Sequence, residues 1–124
     1  MKKEGEWMVS NNILIIEDSM TDFLVMKSLL RNLGENIRIV HNSDGLGVMD
    51  TIISEKIDLI ILDLMIDTVD GVDVLKKVKG SQSTREIPVI ICSAITEHNM
   101  IKRTLNMGAY DYFEKPLNDV AIAF

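Results

Sequence analysis

Several apolar runs in this sequence end on residues able to do chemistry. ILII (13–16) runs into Glu17-Asp18, LIIL (59–62) into Asp63, VIIC (89–92) into Ser93-Ala94, and YDYF (110–113) into Glu114-Lys115-Pro116. Brought together, Glu17, Asp18 and Asp63 would repel one another, so either one keeps a proton or a cation sits among them. A hard divalent cation suits such oxygen ligands, and Mg²⁺ is favoured where water and a phosphate complete its shell. Lys115 cannot ligate that cation and calls for another anion. A phosphoryl group attached to Asp63 would supply one, with Mg²⁺ neutralising its remaining oxygens and the Ser93 hydroxyl donating to one of them.

Such a gathering requires strands whose ends share one edge. The runs at 13–16, 58–63 and 88–94 are too short for helices and fit strands buried on both faces. NIRIVHN (36–42) alternates apolar and polar residues and reads as an edge strand ending at His41-Asn42. Between the strands lie helical periods. The first carries Phe23, Met26, Leu30 and Leu33, with Ser19-x-x-Asp22 as a start signal and Gly34 as a stop. The second runs through Leu46, Met49 and Ile53, its first turn softened by Gly45 and Gly47. The third presents Val72, Leu75 and Val78, and the fourth Met100, Ile101, Thr104 and Leu105 before Gly108. LNDVAIAF begins a last helix. Five β-then-α units in a row predict the α/β class, a single doubly wound parallel sheet with helices on both faces. Ligands of such sheets bind outside the carboxyl ends of the strands, where Glu17, Asp18, Asp63, Ser93 and Lys115 all fall.

The 124 residues suffice for one domain with a real core, and 47% hydrophobic with 26% charged residues is ordinary globular composition. No apolar run has the length of a membrane span, and residues 1–10 read as a polar tail without the apolar segment of a signal peptide. A lone cysteine, Cys92, excludes an internal disulfide framework and fits a reducing, cytoplasmic setting. The net charge of −6 argues against direct contact with nucleic acid, and Lys76-Lys77-Val78-Lys79 reads as a solvated helix face. The eight methionines fall mostly at core spacing and read as packing residues.

The set ILIIED, LIILDL…DG, VIICSA and YFEKP, in this order over residues 12–124, resembles the receiver domain of two-component response regulators. The resemblance implies a flavodoxin-like fold with strand order 2-1-3-4-5. It implies that Asp63 accepts a phosphoryl group from the phosphohistidine of a sensor histidine kinase or phosphotransfer protein. Asp18, Asp63 and the Met65 backbone carbonyl would ligate Mg²⁺ (or Mn²⁺), and Glu17 would act through water. Lys115 and the Ala94 backbone N–H would bind the phosphoryl oxygens. Ser93 and Tyr112 match the family's switch pair, and Lys115-Pro116 its cis peptide. On this reading the phosphoryl group draws in Ser93 and its loop, and the Tyr112 ring turns into the vacated space. The face of the fourth helix, fifth strand and fifth helix then changes for an output domain, a partner protein or a homodimer to read. The chain would be a switch that catalyses its own phosphorylation and slow dephosphorylation rather than a conventional enzyme.

Two other functions compete with this one. A Mg²⁺-dependent phosphohydrolase with an aspartyl phosphate places its nucleophile after the first strand and a second aspartate two residues on, where this chain has Met65. A receiver that no longer accepts phosphate would serve as an interaction or dimerisation module, although every site residue is present. Two departures from the family pattern stand out, at Asp67 and at the end of the chain, while Met65 and Ile95 occupy positions where receivers vary. Asp67 occupies the place of a common proline, and it is expected to face solvent. Met65 and Ile95, two residues past Asp63 and Ser93, are apolar and would shield the phosphoryl group from water, giving a long-lived phosphorylated state. LNDVAIAF is shorter than the family's last helix, which suggests that the natural chain continues into an output domain or was cut. Cys92 reads as a buried small hydrophobe, His41 as a strand-end residue and His98 as a helix-surface residue.

Overall fold

The apolar runs form five strands, β1 (Asn11–Ile16), β2 (Ile37–Asn42), β3 (Leu59–Leu62), β4 (Val89–Ser93) and β5 (Asp111–Glu114). Between them lie α1 (Met20–Arg31), α2 (Val48–Ser54), α3 (Gly71–Gly80) and α4 (His98–Asn106). The structure is a computed structural model that describes residues 11–34 and 36–117. The polar tail at 1–10 and the helix expected beyond Leu117 lie outside the described residues. The strands pair in parallel in the order β2-β1-β3-β4-β5, with β1 and β3 near the centre and β2 at an edge.

Period-two alternation divides the core. Leu14, Ile16, Ile60, Leu62, Val89 and Ile91 pack with Val48, Ile52, Val72, Leu75 and Val78 from α2 and α3. Ile13, Ile15, Ile61 and Cys92 face the other way, against Phe23, Met26 and Leu30 of α1. Full burial of each such side chain stabilises the fold by about 1.5–3 kcal/mol.

The pairing of Ile16 with Leu62 sets Glu17 beside Asp63. The ladder continues one residue further, since the Asp63 N–H donates to the Ile16 carbonyl at 3.0 Å and the Lys115 N–H to the Ser93 carbonyl at 2.9 Å. A close approach tightens the loop behind this edge. A Cβ on Gly71 would lie 2.5 Å from Leu64 Cα and 2.7 Å from the Asp63 carbonyl oxygen, so only glycine lets α3 start here. Asp70 is the N-cap of α3, its carboxylate accepting from the Val72 N–H at 2.9 Å.

Some expected core positions are displaced. Leu46 and Ile53 are exposed, while Val48 and Ile52 are buried. Gly45 and Gly47 have positive φ, so α2 begins only at Val48 and its buried stripe counts from there. Helix α1 ends at Arg31, before Leu33 can join the core stripe, and Leu33 is left exposed. In α4 the buried residue is Thr104, whose hydroxyl returns to the Met100 and Ile101 carbonyls, and Leu105 lies outside. Met20 and Met65 are exposed, unlike a purely packing set of methionines. Lys79 also departs from a solvated face, because its ammonium donates to the Arg85 and Ile87 carbonyls at 3.0 and 2.8 Å. Among the described residues no helix is long and apolar enough to cross a membrane.

Candidate functional site

The carboxyl edge of the sheet brings Glu17, Asp18 and Asp63 together, with one oxygen from each lying within 4.8 Å of the others. Glu17 and Asp63 are buried and Asp18 is exposed, so the group opens to solvent on one side. The Lys115 ammonium stands against it, 2.6 Å from Glu17 Oε1, 2.8 Å from Asp63 Oδ2 and 2.7 Å from Asp22 Oδ2. An ammonium has three N–H donors, and here each has its own carboxylate. A phosphoryl group is thus not needed to give Lys115 an anion, contrary to the expectation from sequence. Lys115 precedes Pro116 through a cis peptide.

Asp22 stands in the sequence as part of a helix-start signal, and half of that signal forms. Ser19 caps α1 by accepting from the Asp22 N–H at 3.2 Å. The reciprocal half does not form, because the Ser19 N–H donates to Glu17 Oε2 at 3.2 Å and the Asp22 carboxylate turns to Lys115. The capping position masks this role in the sequence, and only its place one turn beyond Asp18, at the helix end nearest the strand edge, bears on it. Two backbone donors carry no signal in the sequence. The Met65 N–H donates to Asp63 Oδ1 at 2.9 Å, and the Asp67 N–H to Asp18 Oδ2 at 3.1 Å. A proline at position 67 could not make the second bond. The Asp67 and Met65 side chains are exposed.

Charge and burial shape these groups. Burial pushes the Glu17 carboxyl up to about 7, against the bonds from Lys115 and the Ser19 N–H, and the nearby Asp63 charge adds to the rise. Burial works to lower the Lys115 ammonium, but its bonds to Asp22, Asp63 and Glu17 outweigh this and hold it above its ordinary value. Burial raises the Cys92 thiol to about 12, which leaves it protonated and inert near neutral pH.

The other expected site residues lie on the β4 side. Ser93 is fully buried, and its hydroxyl accepts a long bond from the Ile95 N–H at 3.4 Å. Ala94 is exposed and lines a cleft of about 460 Å³ with Asp22, Val25, Met26, Lys115, Pro116 and Leu117. The half-buried Tyr112 packs on the core and donates its hydroxyl to the Ile95 carbonyl at 2.7 Å. His41 stacks on the Phe23 ring at 3.7 Å, with its Nε2 2.8 Å from the Glu17 carbonyl oxygen. His98 is exposed at the start of α4.

A metal ion fits the donor set in kind. Three carboxylates offer hard oxygen atoms to one volume, Asp18 leaves that volume open to water, and a single lysine does not balance the four surrounding acidic groups. Fold and site together define a flavodoxin-like α/β module that concentrates carboxylates and one ammonium at the carboxyl edge of its sheet.

The family model for the response regulator receiver domain matches residues 13–123. Sporulation initiation phosphotransferase F of Bacillus subtilis (strain 168) is 30% identical over 111 residues, covering 90% of this chain and 86% of that protein. The transcriptional regulatory protein CpxR of Escherichia coli (strain K12) is 34% identical over 109 residues, 88% of this chain and 44% of that protein. A solved signal receiver domain of the DNA-binding response regulator merR from Colwellia psychrerythraea 34H has a TM-score of 0.83 at 29% identity, with 90% of each chain covered. The chain spans less than half the length of several curated relatives it matches. It belongs to the response regulator receiver domain family, and is a signal-transduction module of the two-component type that works through aspartyl phosphorylation.

Proposed function

We propose that Asp63 is the phosphoacceptor, and that the phosphodonor is a phosphohistidine on a sensor kinase or phosphotransfer protein. One observation carries the assignment. Asp63 is the buried carboxylate at the end of β3, with one oxygen on the Met65 N–H and the other on Lys115. In the transfer a carboxylate oxygen of Asp63 attacks phosphorus as the donor's N–P bond breaks. The imidazole leaves with that electron pair and the aspartyl O–P bond forms. Lys115 stays beside the new phosphoryl oxygens and offsets their charge. The Met65 N–H fixes the orientation of the carboxylate. Asp18, Asp63 and the Met65 carbonyl would hold Mg²⁺ or Mn²⁺, with Glu17 at one remove, and the ion would neutralise charge shared by carboxylates and phosphoryl oxygens.

The output follows from the loop between β4 and α4. Ser93 and the Ala94 N–H serve the phosphoryl oxygens, and a shift of this loop carries the Ile95 carbonyl to which Tyr112 is bonded. The surface of α4 and β5, where Leu105 and Tyr110 are exposed, then presents a different shape to an output domain, a partner or a second copy. Met65 and Ile95 limit access of water to the phosphoryl group. A half-life of seconds for the isolated phosphoprotein would contradict that last role.

The deciding experiment is intact mass after incubation with Mg²⁺ and acetyl phosphate. One phosphoryl adduct is expected in the wild type and none in Asp63→Asn or in EDTA. An adduct that persists in Asp63→Asn would move the acceptor elsewhere. No adduct in any sample, together with no binding of beryllofluoride, would sink the phosphoacceptor reading.

A further inference from the structure

The Lys115 ammonium is fully committed before any phosphoryl group arrives. Its three N–H donors meet Glu17, Asp22 and Asp63, and one of these partners must give way when phosphoryl oxygens bind the same lysine. The three are not equally easy to release. The side chains of Glu17 and Asp63 are 1% and 4% exposed, so a carboxylate left there without its cation would be stranded from water. Asp63 is moreover the group that becomes phosphorylated, which keeps Lys115 beside it. The Asp22 side chain is 41% exposed and can return to solvent. It also forgoes the local bond to the Ser19 N–H that a residue at its helical position commonly makes.

We infer that Asp22 is a positioning residue for phosphoryl transfer, the exchangeable partner that holds Lys115 in the resting state and yields it to the phosphoryl group. The inference rests on the reading of Asp63 as acceptor. Asp22 adds a negative charge to an edge that must admit a phosphoryl anion, and it competes for the one ammonium that stabilises the product. Its removal therefore favours the phosphorylated form, the opposite of what loss of a merely structural ion pair would do. Because Asp22 lies in the first turn of α1, its release also unties that helix from the end of β5.

The test compares wild type, Asp22→Asn, Asp22→Glu and Asp63→Asn, all with Mg²⁺. Beryllofluoride affinity is measured by ¹⁹F NMR, and the lifetime of the adduct made with acetyl phosphate is followed by intact mass. In that reaction Asp63 attacks phosphorus, the P–O bond to the acetyl group breaks and acetate leaves. Asp22→Asn should bind beryllofluoride about 5- to 10-fold more tightly and keep its phosphoryl group longer by a similar factor, the scale of one net hydrogen bond at a partly exposed ion pair. Asp22→Glu, which retains the charge, should return both values to within about twofold of the wild type. Unchanged or weaker binding in Asp22→Asn would overturn the proposal, as would Asp22→Glu behaving like Asp22→Asn. Failure of the wild type to form either adduct would overturn the Asp63 reading as well. A phosphorylated wild type with an indifferent Asp22→Asn would overturn this inference alone.

Discussion

Glu17 illustrates how one buried residue can make the stability of the resting protein depend on pH. Its carboxyl titrates near pH 7 in the folded chain and near the ordinary 4.5 when unfolded, because burial outweighs the help from Lys115. Between those values the folded state holds the proton that the unfolded state has released, so stability falls as pH rises from about 4.5 to about 7 and this contribution is then flat. At about 1.4 kcal/mol per pKa unit, the loss across the window is on the order of 3–4 kcal/mol. Urea unfolding in EDTA from pH 5 to 8 should show it in the wild type, whereas Glu17→Gln should lack this component. Parallel curves for the two proteins would refute the assignment. The same proton competes with a cation for the site, so Mg²⁺ affinity measured by calorimetry should increase as pH rises through about 7. A pH-independent affinity across that range would leave Glu17 without influence on the metal.

The edge is also only as well placed as the elements behind it, and Gly71 is where this dependence can be tested. Helix α3 starts against the backbone that carries Asp63, so a methyl group on Gly71 would meet Leu64 Cα at 2.5 Å and the Asp63 carbonyl oxygen at 2.7 Å. Gly71→Ala must push α3 or the 63–64 backbone aside and should cost about 1–3 kcal/mol in urea unfolding. It should also slow phosphorylation by acetyl phosphate, since Asp63 moves with its carbonyl. Wild-type stability in Gly71→Ala would show that the approach is not tight. Gly71 is legible in the sequence as a glycine but not as a packing residue, because its contact is with backbone that local sequence does not reveal. The strands are easier to read, since Leu14, Ile61 and Ile91 lie in uninterrupted apolar runs that two-sided burial demands. Glu17, Asp18, Asp63 and Lys115 follow from their positions at strand ends. Helix α2 misleads because two glycines with positive φ delay its start, which moves the buried stripe from Leu46 and Ile53 to Val48 and Ile52. Asp22 is hidden by a sufficient local explanation, its capping position, while the Met65 and Asp67 N–H groups belong to backbone whose direction depends on the fold of the loop.

Across the whole molecule, Lys115 is the point at which the two faces of the sheet meet. Through Asp22 it reaches α1 on one face, and along β5 it is three residues from Tyr112, whose hydroxyl holds the Ile95 carbonyl in the loop before α4. If a phosphoryl group takes Lys115 from Asp22 and draws in Ser93, the two faces should respond with opposite sign. Hydrogen exchange with and without Mg²⁺ and beryllofluoride can separate them. Amides at 93–97 and 112–115 should exchange more slowly as that loop and strand end gain a partner, whereas those in the first turn of α1 at 20–23 should exchange faster as their tether is released. The expected changes are about 3- to 10-fold, the scale set by gaining or losing one net hydrogen bond. Asp22→Asn should already show the faster α1 exchange without beryllofluoride and gain little more on its addition. Tyr112→Phe should keep the α1 response but weaken the one at 93–97, because it cuts only the link to the Ile95 carbonyl. Uniform protection of all three segments would mean that the ligand simply stabilises the fold, and that α1 does not take part in the switch.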